Sequence, residues 1–196
     1  MKHGILCLSL ALALAGCAAR ETGERAESLQ ARYAAVPACE AAAVVSVERG
    51  EERCDYALSY AREEGGAARV TVSEPEALRG ISAVIRDDDS LTLEYDGMVL
   101  DAGSLSPEIC AANAVSIVLR AVGEGCVCER SVEPCADVPD ALRLCFETEH
   151  AGGALRVAVF FDAQDEPLAA EIRKNNRVLL YLEFTDFRFC DTIGEG

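Results

Sequence analysis

The sequence predicts an α+β domain in which an antiparallel sheet is laid down as two meanders, each preceded by a helix. Three observations carry this. Several stretches alternate apolar and polar residues with a period of two, the pattern of a half-buried strand. Short turn signals separate those stretches at the rhythm of a meander. Two other stretches break the rhythm, with apolar residues at helical spacing. There is no internal repeat and no composition shift that would mark a domain boundary.

Taken in order, the chain opens with "MKHGILCLSLALALAGCAAR". A polar, positively charged start is followed by an apolar run over residues 4–16, the length of a secretory signal and too short to span a bilayer. The run ends in Leu14-Ala15-Gly16-Cys17, which resembles the bacterial lipobox. That resemblance implies removal of residues 1–16, diacylglyceryl transfer to the Cys17 sulfur, and a mature protein held to the outer face of the cell membrane by its N-terminal lipid. Two or three acyl chains give stable anchoring at about 0.8 kcal/mol per buried CH₂. The plainer alternative is an ordinary signal peptide with an incidental cysteine.

Residues 17–26 read as a lipidated N-terminus and tether, and 27–196 as one domain. The first helix is expected from Glu27 to Val36, with Leu29, Tyr33 and Val36 on one side and Pro37 as the stop. In "RCDYALSYA" the residues Cys54, Tyr56, Leu58 and Tyr60 share a face; after a turn at 63–66, Val70 and Val72 resume it. A turn at 87–90 precedes Leu91, Leu93 and Tyr95, and Asp96-Gly97 folds the chain back on itself. Ser106-Pro107-Glu108 is a strong helix start, with a hydroxyl N-cap, proline at N1 and an acid in the first turn. That helix is expected to run to about Val122 and stop at Gly123. Its polar residues Asn113, Ser116 and Arg120 form one narrow stripe on a body so apolar that it must be buried on most sides. "GEGCVCERSVEPC" at 123–135 then links the helix back to the sheet. The second meander places Leu142, Leu144 and Phe146 on one strand and Leu155, Val157, Val159 and Phe161 on the next. A turn at "DAQDEP" and a tight hairpin at Asn175-Asn176 lead into the final strand.

This order and several of its segments resemble the LolA/LppX superfamily of periplasmic and cell-surface lipid-binding proteins. Within it the likeness is to the small LolA-like lipoproteins of Gram-positive anaerobes, a group that includes the germination lipoprotein GerS. The segments are the lipobox, "SLQARYAAV", "VTVSEPEALRGISAVI", "LTLEYDGMVLDAG", "LSPEICAANAVSIVL" and "PLAAEIRKNNRVLLYLEFTDFRF". The resemblance implies a strongly curved antiparallel sheet, an incomplete barrel, with helices covering its concave face and a hydrophobic ligand held there. The residues expected to line such a cavity are Tyr56, Leu58, Tyr60, Val72, Leu93, Tyr95 and Ile117. The same alternation is also what a packed core without a cavity would show.

Composition narrows the function. With 18 basic against 34 acidic residues and a net charge of −16, the chain has no electrostatic claim on nucleic acid or anionic headgroups. Once the signal is removed a single histidine, His150, remains, in "ETEHAGGA", which reads as a solvated turn; histidine-based acid–base chemistry has no other candidate. No G-x-S-x-G elbow, EF-hand loop or C-x-x-C motif is present. The sequence is therefore read as non-enzymatic, with no cofactor and no metal. Eight cysteines follow Cys17. Outside the cytoplasm they invite disulfides rather than zinc, with Cys126, Cys128 and Cys135 the foremost candidates, although Cys126 and Cys128, two apart on an extended segment, would strain to reach one another. Two functions from different classes remain: a lipoprotein binding a lipid or acyl chain, or an envelope lipoprotein using the same fold to hold another protein.

Overall fold

The computed structural model describes residues 22–35, 38–49, 52–63, 66–86, 90–100, 108–150 and 152–190. Among the described residues eleven strands follow one another. They are β1 (Cys39–Arg49), β2 (Glu52–Arg62), β3 (Ala68–Glu74), β4 (Ser82–Ile85), β5 (Leu91–Tyr95), β6 (Met98–Leu100), β7 (Cys126–Cys135), β8 (Val138–His150), β9 (Gly153–Phe161), β10 (Pro167–Lys174) and β11 (Arg177–Phe189). Two helices accompany them: α1 over residues 22–34 and α2 over Ala114–Glu124. The strands pair into one antiparallel sheet in the order β6-β5-β4-β3-β2-β1-β11-β10-β9-β8-β7. Each half is a meander of neighbours in sequence, and β1 meets β11 where the halves join. The sheet does not close. It is the curved, open half-barrel expected, with both helices packed on its inner face.

The period-two pattern explains that face. Along β8 the inward residues Leu142, Leu144 and Phe146 are buried, and the register sets them beside Phe161, Val159 and Val157 of β9. Ile172, Leu180 and Leu182 continue the row across β10 and β11. The helices complete the core with Ala26, Leu29 and Tyr33 from α1 and Val115, Ile117, Val118 and Val122 from α2.

β1 is the element that the sequence pattern does not announce. Its inward positions are Ala41, Ala43 and Val45, all buried, and alanine carries little strand preference. The strand is specified by its two neighbours, pairing with β2 along its length and with β11 across a bulge at Ala42/Ala43. The stretch at 123–135 is likewise more than a link: most of it is β7, an edge strand of the sheet.

α1 begins at residue 22, within the stretch read as a tether, because Ala26 extends the apolar stripe of Leu29 and Tyr33 by one turn. Val36, expected at its end, lies outside the described residues. The helix is pinned at several points. Arg25 bonds Asp165 at 2.8–2.9 Å, the Tyr33 hydroxyl donates to the Asp165 carbonyl at 2.9 Å, and Gln30 Nε2 donates to the Gly125 carbonyl at 2.6 Å.

α2 starts later than its proline-led signal predicts. Ser106 and Pro107 lie outside the described residues, and Cys110 is extended, with φ −144° and ψ 172°. A 3-10 turn at Ala111–Asn113 opens the helix instead. Asn113, expected on the polar stripe, is buried: its Oδ1 accepts from the Cys110 amide and its Nδ2 donates to the Glu108 carbonyl, both at 2.9 Å. At the other end the helix passes through Gly123 and ends at Glu124. Gly123 is a close-approach residue, not a stop, for a Cβ there would lie 3.1 Å from the Ala34 Cα on α1. The terminal glycine is Gly125, where a Cβ would meet the Ala121 carbonyl oxygen at 2.4 Å and the Phe146 Cβ at 3.1 Å. Gly125→Ala is expected to cost about 3 kcal/mol, the upper range of overpacking effects. Gly152→Ala, with open space but φ +70°, should cost only about 1 kcal/mol. Denaturant titration of the two variants checks the difference.

Candidate functional site

The site lies where α1 and α2 leave part of the inner face of β2–β4 uncovered. The register aligns Tyr60 with Val70 and then Ala83, and Arg62 with Ala68 and then Ile85. Tyr33, Ala34 and Ala35 face these rows from the end of α1. Ser116, Leu119, Arg120, Gly123 and Glu124 face them from α2. Between them is a cavity of about 380 Å³, also reached by Arg86 just after β4.

Its chemistry is mixed. Tyr33, Leu119 and Ile85 give it apolar walls, and Arg62, Arg86 and Arg120 bring three guanidinium groups, with Glu124 as a carboxylate beside them. Arg86 Nη1 donates to Thr92 Oγ1 at 3.0 Å. The hydroxyls of Tyr60 and Ser116 are buried close to one another, and neither makes a well-formed hydrogen bond. Burial pushes the Tyr60 phenol up to about 12, although the nearby Ser116 hydroxyl and Arg62 guanidinium pull it back.

Arg120 is held by a residue that the sequence places wrongly. His150 is not a solvated turn residue: it ends β8 and is 4% exposed, with Nδ1 2.9 Å from Arg120 Nη2. A guanidinium can only donate, so in this bond Nδ1 accepts and the imidazole is neutral. The turn signal in "EHAGGA" is real, but the histidine sits one residue before it, on the inward parity of its strand.

The residues expected to line a cavity divide into three groups. Tyr60 lines it. Leu58 and Ile117 are buried in the core. Tyr56, Val72 and Leu93 are half-buried on the inner face of the β2–β5 wing, and Tyr95 at its far corner is 46% exposed. The arginines were missed, though β2 carries a signal. The inward parity of Cys54, Tyr56, Leu58 and Tyr60 continues to Arg62, a charge where alternation calls for an apolar residue. Ser116 and Arg120, read from the sequence as part of the narrow polar stripe of α2, line the cavity. Cys17 lies outside the described residues. Cys126 and Cys128 are exposed and Cys135 is half-buried, and all eight described cysteines are unbridged. Among the described residues no three His, Cys, Asp or Glu side chains group as a metal would require, and no helix is long and apolar enough to cross a membrane.

A single open antiparallel sheet with two helices on its inner face is the arrangement that the resemblance to LolA-like proteins implies. Solved structures similar to it include a LolA superfamily protein from Nitrosomonas europaea, at 12% identity over 85% of this chain and 94% of that one, with a TM-score of 0.45. They also include LprF from Mycobacterium bovis, at 10% identity over 89% and 96% of the two chains, with a TM-score of 0.48. A DUF1329 family protein from Desulfovibrio piger is 12% identical over 88% and 94%, with a TM-score of 0.49. At these identities and scores no activity or ligand is carried across. No family profile matches the sequence, and no curated protein matches it.

Proposed function

We propose that this chain is a non-catalytic lipoprotein, anchored through Cys17 outside the cytoplasm, that holds a lipid or acyl chain in its half-barrel. The observation that carries the reading is the cavity, whose two buried hydroxyls lack a well-formed hydrogen bond. Each such group costs about 1–3 kcal/mol unless something satisfies it. The polar end of an amphiphile would do so, beside the arginines that line the cavity. Its apolar portion has a surface to lie on, because Leu58 and Val72 are one ladder row from Tyr60, and the half-buried Tyr56 is one row further. This reading also gives a use to cations gathered in an otherwise acidic chain.

Native mass spectrometry of the detergent-extracted protein, offered oleate or phosphatidylglycerol, tests it. Bound lipid is expected on the wild type. Ser116→Leu, which fills the cavity with an apolar side chain and removes one of the two hydroxyls, should reduce occupancy about tenfold or more without lowering stability. No lipid on the wild type, or equal occupancy in the variant, would sink the proposal.

The second reading, an envelope lipoprotein that holds another protein, is favoured by the free edge at β6. Met98 and Val99 are 60% and 61% exposed there, beside Tyr95. An open edge with apolar side chains suits strand addition by an extended segment of a partner. A stable co-purifying protein, lost when Val99 is changed to lysine, is the result that would favour it.

A further inference from the structure

The edge strand β7 does not pair with β8 residue for residue. The ladder passes from Val127 opposite Phe146 directly to Glu129 opposite Cys145, leaving Cys128 as the extra residue of a β-bulge. A bulge sets two residues of one strand against a single partner, so Cys128 and Glu129 both face Cys145. The Cys128 thiol donates to the Cys145 carbonyl oxygen, with Sγ 3.3 Å from it. Cys128 precedes Glu129, the residue directly opposite Cys145, so the bulge sets the two cysteines next to one another across the strand pair. The other cysteines of β7 have no such partner, since Cys126 stands opposite Glu147 and Cys135 opposite Val138.

The surroundings differentiate the two sulfurs. Cys128 is exposed, and Arg156 Nη2 lies 3.6 Å from its Sγ while also bonding Glu129 Oε1 at 3.0 Å. Exposure makes Cys128 the sulfur that an external reagent reaches first. Cys145 is buried, and its thiol is pushed up to about 11 by burial and by the neighbouring Cys128.

We propose that Cys128 and Cys145 are a reversible redox pair that closes into a cross-strand disulfide, with Cys128 attacking and Cys145 resolving. The oxidant is an external disulfide, small or carried by a protein. The Cys128 thiolate attacks one of its sulfurs, forming a mixed disulfide and expelling the first thiolate. Cys145, losing its proton, then attacks the Cys128 sulfur and expels the second. Two thiol protons pass to the two leaving thiolates, and two electrons reduce the external disulfide to two thiols. The product staples the edge strand to its neighbour at the bulge, where the ladder is interrupted.

Incubating the full-length protein with oxidised glutathione, followed by non-reducing proteolysis and mass spectrometry, tests this. A peptide joining Cys128 to Cys145 is expected. Cys145→Ser should stop at a glutathione adduct on Cys128, and Cys128→Ser should leave Cys145 unmodified. Hydrogen exchange of the β7 amides should slow on the order of tenfold or more once the bridge forms. Both cysteines remaining as thiols, or Cys128 bridged to Cys126 or Cys135, would overturn the assignment. So would a Cys145 that acquires glutathione as fast in Cys128→Ser as Cys128 does in the wild type.

Discussion

Replacing Tyr33 with alanine is expected to destabilise the protein by about 4 kcal/mol, within the range for removing a large buried aromatic. For a domain of this size that is a fall in Tm of roughly 10 °C. Tyr33 is 2% exposed, and its ring meets those of Phe161, Phe187 and Phe189 at centroid distances of 5.9, 6.0 and 5.1 Å. Phe161, Phe187 and Phe189 belong to two strands that are not neighbours, so one side chain of α1 fastens the helix across the second meander. Arg32 adds to the same cluster by lying over the Phe189 ring at 4.1 Å. Tyr33→Phe separates the contributions: it keeps the rings and loses only the bond to the Asp165 carbonyl, at a cost of about 1 kcal/mol. Thermal melts of both variants, read by circular dichroism, provide the comparison. Equal losses in the two would mean that the hydroxyl, not the packing, holds α1.

Stability is expected to fall steeply between pH 9 and pH 11 in the reduced protein. Burial pushes the Cys39 thiol from 9.0 up to about 11. Cys145 rises equally, and Tyr60 moves from 10.0 to about 12. In each case the folded state holds the proton more tightly than the unfolded chain. Below the unfolded value both states are protonated and the stabilisation is fully present. As the pH rises through the gap, the unfolded chain ionises first and binds fewer protons, so the unfolding free energy falls. Cys39 and Tyr60 each remove on the order of 2–3 kcal/mol by the time the pH passes their folded values, and Cys145, less enclosed and sharing its proton with Cys128, removes less. Together the three groups remove a sizeable part of the stability of an ordinary domain, about 5–15 kcal/mol. Urea titrations at pH 8, 9, 10 and 11 measure the slope. Cys39→Ala should make it shallower by about one proton, and oxidation of Cys128 and Cys145 should do the same. A slope unchanged in both would contradict the argument.

Much of the sheet was legible because its inward residues are large and alternate with polar ones, as in β2, β8 and β9. β1 was not, because alanines at its inward positions carry no strand signal and its place is fixed by neighbours distant in sequence. The start of α2 misled for the opposite reason. Ser106-Pro107-Glu108 is a sound local signal, yet the chain is extended at Cys110 and the buried amide of Asn113 sets the true start through bonds to Cys110 and Glu108. Of the cavity, Tyr60 was found because it is apolar and inward. Arg62, Arg86 and Arg120 come from three different elements, and only tertiary packing brings them together. The pairing of Cys128 with Cys145 depends on a bulge, which shifts parity by one residue and which no alternation pattern reveals in advance.

The junction of β1 with β11 has a kinetic consequence. Each meander is made of hairpins and can close locally, but the strands that unite them are the first and last of the sheet; Arg188 reaches Glu40 across 148 residues of chain. Loop closure of that span must be met before any of the joining contacts repay it, so the halves are expected to form early and dock late. Until β11 is in place, β1 and β10 each present an unpaired edge, one of them carrying the apolar run Ala41–Val45. A chain made from its N-terminus is therefore exposed to edge-to-edge association until its last strand has been delivered.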